Sequence, residues 1–478
     1  MSSSTKKLSR PHTRHPLIMG TAILTITGLV TRIIGFFYRI YLSRLFGEEG
    51  MGIYQLLSPV LALSFSLTAA GFQTAISKFV AAQAGRENTA FPSRRPMVMG
   101  LLLTVPLSLA CMAALYLKSD NIAASLLQEP RTASMIRILA PSIPLSAIHA
   151  CINGYFYGIK KASVPAGTQL FEQCCRVACV YLVSAYILAQ GHTPSINVAV
   201  LGLTIGEGCS MLAALLAAWF HFSKNVSLQG IRSHGRTLLS RNQGIGIGSR
   251  THSLSRSSAP GYGQLLGMVI PLTANRIVLN LLQSVESVSI PAGLRSYGYD
   301  NATALSVYGV LTGMAFPMIF FPNALTGSVS VMLLPMISES YAKGDEEGIR
   351  RAILRTVKYC FILGFSCMGF FLLTGKLLGE GLYRSPLAGH FIRTLSLICP
   401  FLYLDTTLSS ILQGLGMAGR LFLINVISLL VRLLFILLTV PRLGIQGYLY
   451  GLLVSQILQC ALYLGCLWLR SRYCSRPM

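Results

Sequence analysis

The sequence predicts an all-α polytopic membrane protein with about twelve transmembrane helices in two six-helix lobes. Three observations carry that expectation. The 478 residues are 53% hydrophobic and 11% charged, with a mean hydropathy of +0.60, whereas soluble domains carry roughly 25% charge. Apolar runs long enough to cross a bilayer core of ~30 Å recur about a dozen times, and in lipid such runs must be helices to satisfy their own backbone. The two halves of the chain also resemble each other at an offset of six spans.

Taken in order, the spans fall near 17–42, 53–82, 97–117, 132–157, 165–189, 196–222, 263–290, 304–337, 352–374, 391–413, 421–440 and 446–469. The first carries charge in an unusual place. Arg32 and Arg39 lie seven apart, two turns along one helix face. An arginine near mid-bilayer costs ~2.5–3.5 kcal/mol on insertion scales, so such a pair calls for a wet or anionic surrounding. Gly28 and Gly35 follow the same spacing and leave a thin polar seam. The eighth span is long and holds Pro317, Pro322 and Pro335, which predicts a bend.

Loop charge sets the expected topology. Loops on the side of both termini carry roughly three times the Lys and Arg of the others, which places the termini in the cytoplasm. The domains expected are an N-tail (1–16), an N-lobe (17–222), a linker (223–262), a C-lobe (263–469) and a C-tail (470–478). The linker is rich in Ser, Gly and Arg and has no acidic residue, so it reads as a flexible segment against an anionic leaflet.

The internal repeat rests on two pairs of spans. The second ends GFQTAISKFVAAQAGRE (71–87) and the eighth SVSVMLLPMISESYAKGDEE (328–347), each an apolar helix with a small polar exit and a charged end. The fourth runs from Pro141 through Gly154 and Gly158 to a basic turn, the tenth from Pro400 through Gly414 to Arg420. An even offset gives both halves the same orientation, so a pseudo-two-fold axis along the membrane normal is expected, as in transporters built from parallel repeats.

Polar groups inside the spans supply the candidate site. Besides Arg32 and Arg39 these are Glu172 and Arg176 at i,i+4 in the fifth span, Glu207 in the sixth, Arg276 and Glu286 in the seventh, Asp405 in the tenth, and Asn425 and Arg432 in the eleventh. His149 and Asn153 form a further i,i+4 pair, read as a hydrogen-bonded helix contact. The candidate cavity residues are Arg32, Arg39, Arg176 and Arg276, since guanidinium recognises phosphate bidentately. Glu172, Glu207, Glu286 and Asp405 are assigned to charge compensation or ion coupling.

Other classes fare worse. The formal charge of +24, from 39 Lys and Arg against 15 Asp and Glu, would point to nucleic acid in a soluble protein. Here it falls in loops, so no nucleic-acid partner is expected. The 12 cysteines are scattered through apolar stretches without paired spacing, and no metal or cofactor is expected from them. No Walker loop is present to use ATP, and no acidic extramembrane loop suits a transferase, so the chain is expected not to be an enzyme.

The stretches TRIIGFFYRIYLSRLFGEEGMGIYQL (31–56), AISKFVA (75–81), LAPSIPLSAIHACINGYFYG (139–158) and LFEQCCRV (170–177) resemble the stage V sporulation protein B group. That group belongs to the multidrug/oligosaccharidyl-lipid/polysaccharide exporter superfamily, with the lipid II flippases and MATE exporters. The resemblance implies a two-lobe fold in the cell membrane. It also implies flipping of an undecaprenyl-pyrophosphate-linked peptidoglycan precursor for spore cortex synthesis, with anionic lipids and cell-wall synthases as further partners. It matches Arg32 and Arg39 to the first-span arginines of the lipid II flippases. The eighth span, around Tyr308 and Gly309, lacks the arginine found there in those proteins, and the chain ends at twelve spans without their extra C-terminal pair. The alternative is an ion-coupled exporter of small amphiphiles using Glu172, Glu207 and Asp405.

Overall fold

A computed structural model describes residues 15–87, 93–240 and 261–474, with side chains described for 23–84, 93–223 and 261–470. Twelve helices are long and apolar enough to cross a membrane: α1 (Ile23–Gln55), α2 (Ser58–Ala84), α3 (Arg95–Leu117), α4 (Thr132–Gly158), α5 (Ser163–Ala189), α6 (Asn197–Ser223), α7 (Tyr262–Tyr297), α8a (Asn301–Phe320), α9 (Glu346–Tyr383), α10 (Pro386–Gly414), α11 (Ala418–Leu443) and α12 (Ile445–Arg470). A turn at Phe321–Pro322 separates α8a from its continuation, α8b (Asn323–Ala342). No strand occurs among the described residues.

The prolines break helices where their geometry requires it. Pro322 at the α8 turn cannot donate to the preceding turn, so the span bends there, as its prolines predict. Pro141 and Pro400 interrupt α4 and α10 at matching places, each leaving a short amphipathic helix followed by one of sixteen or seventeen residues. Several spans run past their expected ends. α1 continues from 42 to Gln55 through a kink at Gly47, where φ is +70°. The expected flexible linker also differs: helix continues from α6 through Ser240, because nothing between 223 and 240 breaks it. Residues 241–260 of that linker, the N-tail up to 14 and the C-tail beyond 474 lie outside the described residues.

The repeat is explicit in the packing. Within the first lobe α1 packs on α5, α2 on α4, α3 on α4, α4 on α6 and α5 on α6. Within the second, α7 packs on α11, α8b on α10, α9 on α10, α10 on α12 and α11 on α12. Every contact recurs six spans later. Even single side chains match: Thr104 and Cys151 touch at 3.3 Å between α3 and α4, and Cys360 and Thr407 touch at 3.3 Å between α9 and α10. The lobes meet through α1 against α8a and α2 against α7, contacts that a two-fold axis exchanges.

The two ends of the bundle differ. At the end away from the linker, Leu42 and Met51 of α1, Leu127, Ile136 of α4, Val310 and Leu311 of α8a and Tyr403 of α10 form one apolar core across both lobes. Towards the linker end the core divides, one part around Ile76, Tyr155 and Phe156 and another around Ile337, Leu408 and Tyr463. The lobes therefore share one core at the far end, while at the linker end they meet through α2 and α7, where Leu265 and Val269 of α7 join the core of the first lobe.

Candidate functional site

Between the lobes, α1 runs through a polar chamber and lines it on two sides. The side facing the first lobe has a volume of about 380 Å³ and is lined by Tyr38, Tyr54, Gln173 and Arg176. The side facing the second has about 640 Å³, lined by Gln283, Glu286, Tyr308, Asn323 and Arg432. Arg32, Gly35, Arg39, Gln55 and Ser58 border both. The seven-residue spacing puts Arg32 and Arg39 roughly 10 Å apart along the helix on one face, with the bare backbone of Gly35 between them.

The guanidinium groups fall into two kinds. Arg176 is paired with Glu172 one turn away on α5. Arg432 of α11 lies 2.7 Å from Glu286 of α7, and Tyr448 donates its hydroxyl to the other Glu286 oxygen at 3.0 Å. Arg32 and Arg39 have no carboxylate partner among the described residues. Two neutralised arginines thus flank two open ones. Arg39 is half-buried and Arg32 is exposed where it borders the chamber, and the chemistry that satisfies a pair of guanidinium forks is a phosphate or carboxylate group.

The sequence candidates divide by position. Arg32, Arg39, Arg176 and Glu286 line the chamber. Arg276 is exposed and lines neither part; it sits two turns before Gln283 on the same α7 face, roughly 10 Å nearer the linker end. Asp405 lies outside the chamber lining, and its Oδ1 is buried without a hydrogen-bond partner. Arg432 was legible as an intramembrane arginine but not as a chamber residue, because only the fold brings α11 beside α7. It faces the side where the arginine expected on α8 is absent. Tyr308 lines the chamber on that side, and Gly309 packs into the interlobe contact, where a Cβ would stand 2.3 Å from the Glu48 carbonyl.

Glu207 belongs to a second group. Its carboxylate, that of Glu172 and the His149 ring place ligand atoms within 4.8 Å of one another, from α6, α5 and α4. His149 contacts Asn153 at 2.6 Å, Ser210 at 3.0 Å and Thr168 at 3.3 Å. Glu207 Oε2 and Asn153 Oδ1 are buried without hydrogen-bond partners, Oε2 lying 3.8 Å from His149 Nδ1. Arg176 already pairs with Glu172, and the two carboxylates with the His149 ring form a donor set that could take a cation. Arg176 connects this group to the chamber, since it also lines a cavity of about 450 Å³ shared with Glu207.

The far end of the chamber is sealed. A Cβ on Gly52 of α1 would come within 2.0 Å of the Leu305 carbonyl of α8a, so the two backbones touch. Arg44 donates to the carbonyls of Leu382 at 2.7 Å and Gly381 at 2.8 Å, capping the end of α9 across the lobes. Asn301 donates to Glu129 at 2.7 Å. The central polar chamber is thus closed at its far end by contacts between the lobes.

Residues 17–340 match the family described as polysaccharide biosynthesis protein. The chain belongs to that family. It is 29% identical over 453 residues to stage V sporulation protein B of Bacillus subtilis (strain 168), covering 94% of this chain and 83% of that protein. It is 24% identical over 417 residues to the lipid II flippase MurJ of the same organism, covering 84% and 73%. Its fold matches the inward closed conformation of a lipid II flippase MurJ with a TM-score of 0.67 at 14% identity, over 93% of this chain and 87% of that one. These likenesses agree with the two-lobe, multi-pass architecture and with the superfamily that the first five spans indicate.

Proposed function

We infer that the protein is a flippase for lipid-linked saccharides, with a lipid II-like peptidoglycan precursor in spore cortex synthesis as its substrate. The observation that carries this reading is the pair Arg32 and Arg39, facing a chamber between two lobes without carboxylate partners. A pyrophosphate group supplies the missing negative charge. The names of two full-length relatives, a sporulation protein and a lipid II flippase, support the same substrate class.

With the linker and both termini in the cytoplasm, as loop charge indicates, the end where the core divides faces inward and the sealed end outward. The head group enters from the inner leaflet, and Arg32 and Arg39 hold its phosphates. Glu172 and Glu286 keep Arg176 and Arg432 neutralised until the anion competes for them. The far-end seal then opens as the linker end closes. An inside-negative potential favours outward passage of negative charge by ~2.3 kcal/mol per charge per 100 mV, so no ATP-using part is needed. The protein acts in the cell membrane as a carrier rather than an enzyme, beside anionic lipids and the cell-wall synthases that use its product.

The test is reconstituted flipping of a fluorescent polyprenyl-pyrophosphate saccharide. Arg32→Ala with Arg39→Ala lowers the rate at least tenfold in folded, inserted protein; an unchanged rate overturns the assignment. The group at His149, Glu172 and Glu207 favours a second reading, an ion-coupled exporter of small amphiphiles. Drug resistance in expressing cells, lost on Glu207→Gln, supports that reading against the first.

A further inference from the structure

A cavity larger than either part of the chamber lies outside it, along α8b. It is a groove of about 1080 Å³ between α8b and α9. Buried Thr326, Leu333, Thr356 and Cys360 form its floor, where both helices pack on α10. Its walls are Val329, Met332, Met336, Tyr359 and Ile362, all largely exposed. A floor with two walls distinguishes it from a plain lipid-facing helix surface. The groove runs from Leu325 to Ser340 along α8b and from Ser366 back to Arg351 along α9. The fifteen residue steps along each helix give a length of roughly 22 Å.

One end is charged. Arg351 and Arg355 line the groove at the linker end, one turn apart on α9. Arg351 contacts only the Glu347 carbonyl at 3.4 Å, and Arg355 has no partner among the described residues. An apolar trough with two available guanidinium groups at its mouth is complementary to one chemistry, a long hydrocarbon chain with a phosphorylated head. Its length exceeds half of a ~30 Å bilayer core, so a chain lying in it reaches from the linker-end interface past the midplane. The thioethers of Met332 and Met336 adapt to an irregular, branched chain.

The groove is also joined to the chamber. Thr326 on its floor donates to Asn323 Oδ1 at 2.5 Å, and Asn323 lines the chamber. The next residue, Gly327, presents bare backbone to Arg32, whose guanidinium would lie 3.4 Å from a Cβ there. Adjacent residues of α8b, Thr326 and Gly327, therefore meet the groove floor and an open arginine of the chamber.

The geometry points to a loading station for the isoprenoid chain of the substrate, with its phosphates first held by Arg351 and Arg355 and then passed beside Gly327 to Arg32. This rests on the chamber reading above. While the head crosses, the chain stays in the groove, so the apolar part never enters the polar chamber.

The full chain is reconstituted in phosphatidylcholine vesicles with a polyprenyl pyrophosphate bearing a photoreactive group in its chain. Labelling falls on Met332 and Met336, is displaced by unlabelled polyprenyl pyrophosphate, and is unaffected by equal phosphatidylglycerol. Arg351→Ala with Arg355→Ala lowers it at least fivefold, and Val329→Trp or Met332→Trp, on exposed wall positions, blocks it. Labelling elsewhere, or equal displacement by phosphatidylglycerol, overturns the proposal. Thermal stabilisation by inorganic pyrophosphate, lost in Arg32→Ala with Arg39→Ala, reads the chamber separately. Stabilisation without groove labelling overturns the groove alone. No stabilisation of the unmodified protein overturns the chamber reading.

Discussion

Asn301 donates its side-chain amide to the Glu129 carboxylate at 2.7 Å, and that bond ties the turn before α8a in one lobe to the turn before α4 in the other. Glu129 also accepts from Arg131 Nε at 2.6 Å, while Arg131 reaches Glu49 at the end of α1 at 2.7 Å. Arg295 donates to Gln128 at 2.5 Å and to Asn301 at 3.0 Å. The sealed end thus closes on a polar latch above an apolar core. In a carrier, such a latch has to form and break in each cycle.

The latch predicts how the closed state depends on pH. Burial works against the Glu129 carboxylate, but hydrogen bonds from Arg131 and Asn301 outweigh it and hold its carboxyl below the usual range. When the seal opens, the group returns to an ordinary value near ~4.3. Its contribution to closure is therefore complete above that value and is lost as the pH falls through the depressed one. Glu129→Gln removes charge-assisted bonds worth about 1.5–3 kcal/mol, so opening at neutral pH becomes roughly tenfold or more easier. Labelling of a cysteine at Gln55 by an impermeant reagent from the far side reads this directly. Equal labelling in Glu129→Gln and the parent rules the latch out.

Gly52 gives a steric version of the same test. Its α-carbon touches the Leu305 backbone, which cannot move aside as a side-chain end can. Gly52→Val holds α1 and α8a apart, so the far end no longer closes and transport stops while the lobes stay folded. Labelling at Gln55 from the far side rises; transport at the parent rate shows that closure does not need this contact.

Much of this arrangement is legible in the sequence because lipid enforces it. Spans must be helical, prolines must bend or break them, and arginines must find water or anions, so Arg32 and Arg39 identify the chamber before any fold is known. Pairing across spans is another matter. Glu286 and Arg432 lie far apart in sequence on α7 and α11, and nothing local links them. Arg276 carries the same sequence signal as Arg32 yet stands two turns nearer the linker end than the chamber lining. The contact of Thr104 with Cys151 recurs as Cys360 with Thr407, but the exchanged residue types hide the repeat from residue identity. Hydropathy sets the helices, and interhelical geometry then decides which polar groups meet.

The Glu286 and Arg432 pair separates stability from anion binding. Arg432→Ala leaves Glu286 buried with only the Tyr448 hydroxyl, and breaking a buried pair this way costs about 3–5 kcal/mol. Removing both charges, in Glu286→Ala with Arg432→Ala, recovers part of that loss. Glu286→Gln instead keeps the volume and frees Arg432 towards the chamber, so pyrophosphate binds more tightly. Thermal unfolding of the parent, Glu286→Ala, Arg432→Ala and the double variant completes the cycle, and pyrophosphate binding by Glu286→Gln is read beside it. If Glu286→Gln binds pyrophosphate no better than the parent, Glu286 is not what holds Arg432 back.

His149, Glu172 and Glu207 set the last expectation, on what drives the cycle. Glu172 is shared between Arg176 and this group, so its charge cannot satisfy both at once. A proton or cation bound near His149 and Glu207 relieves that competition and leaves Arg176 freer to meet an anion in the chamber. Flipping by the parent protein therefore changes when a proton or sodium gradient is imposed at constant membrane potential. Glu207→Gln removes one carboxylate of the donor set and with it that response, while the response to membrane potential remains because Arg32 and Arg39 are intact. His149→Gln keeps a hydrogen-bonding side chain beside Ser210 and Asn153, so the helices stay packed and a changed response reports the ring rather than a packing defect. Insensitivity of the parent to both gradients makes the triad a structural contact and leaves the potential as the driving force.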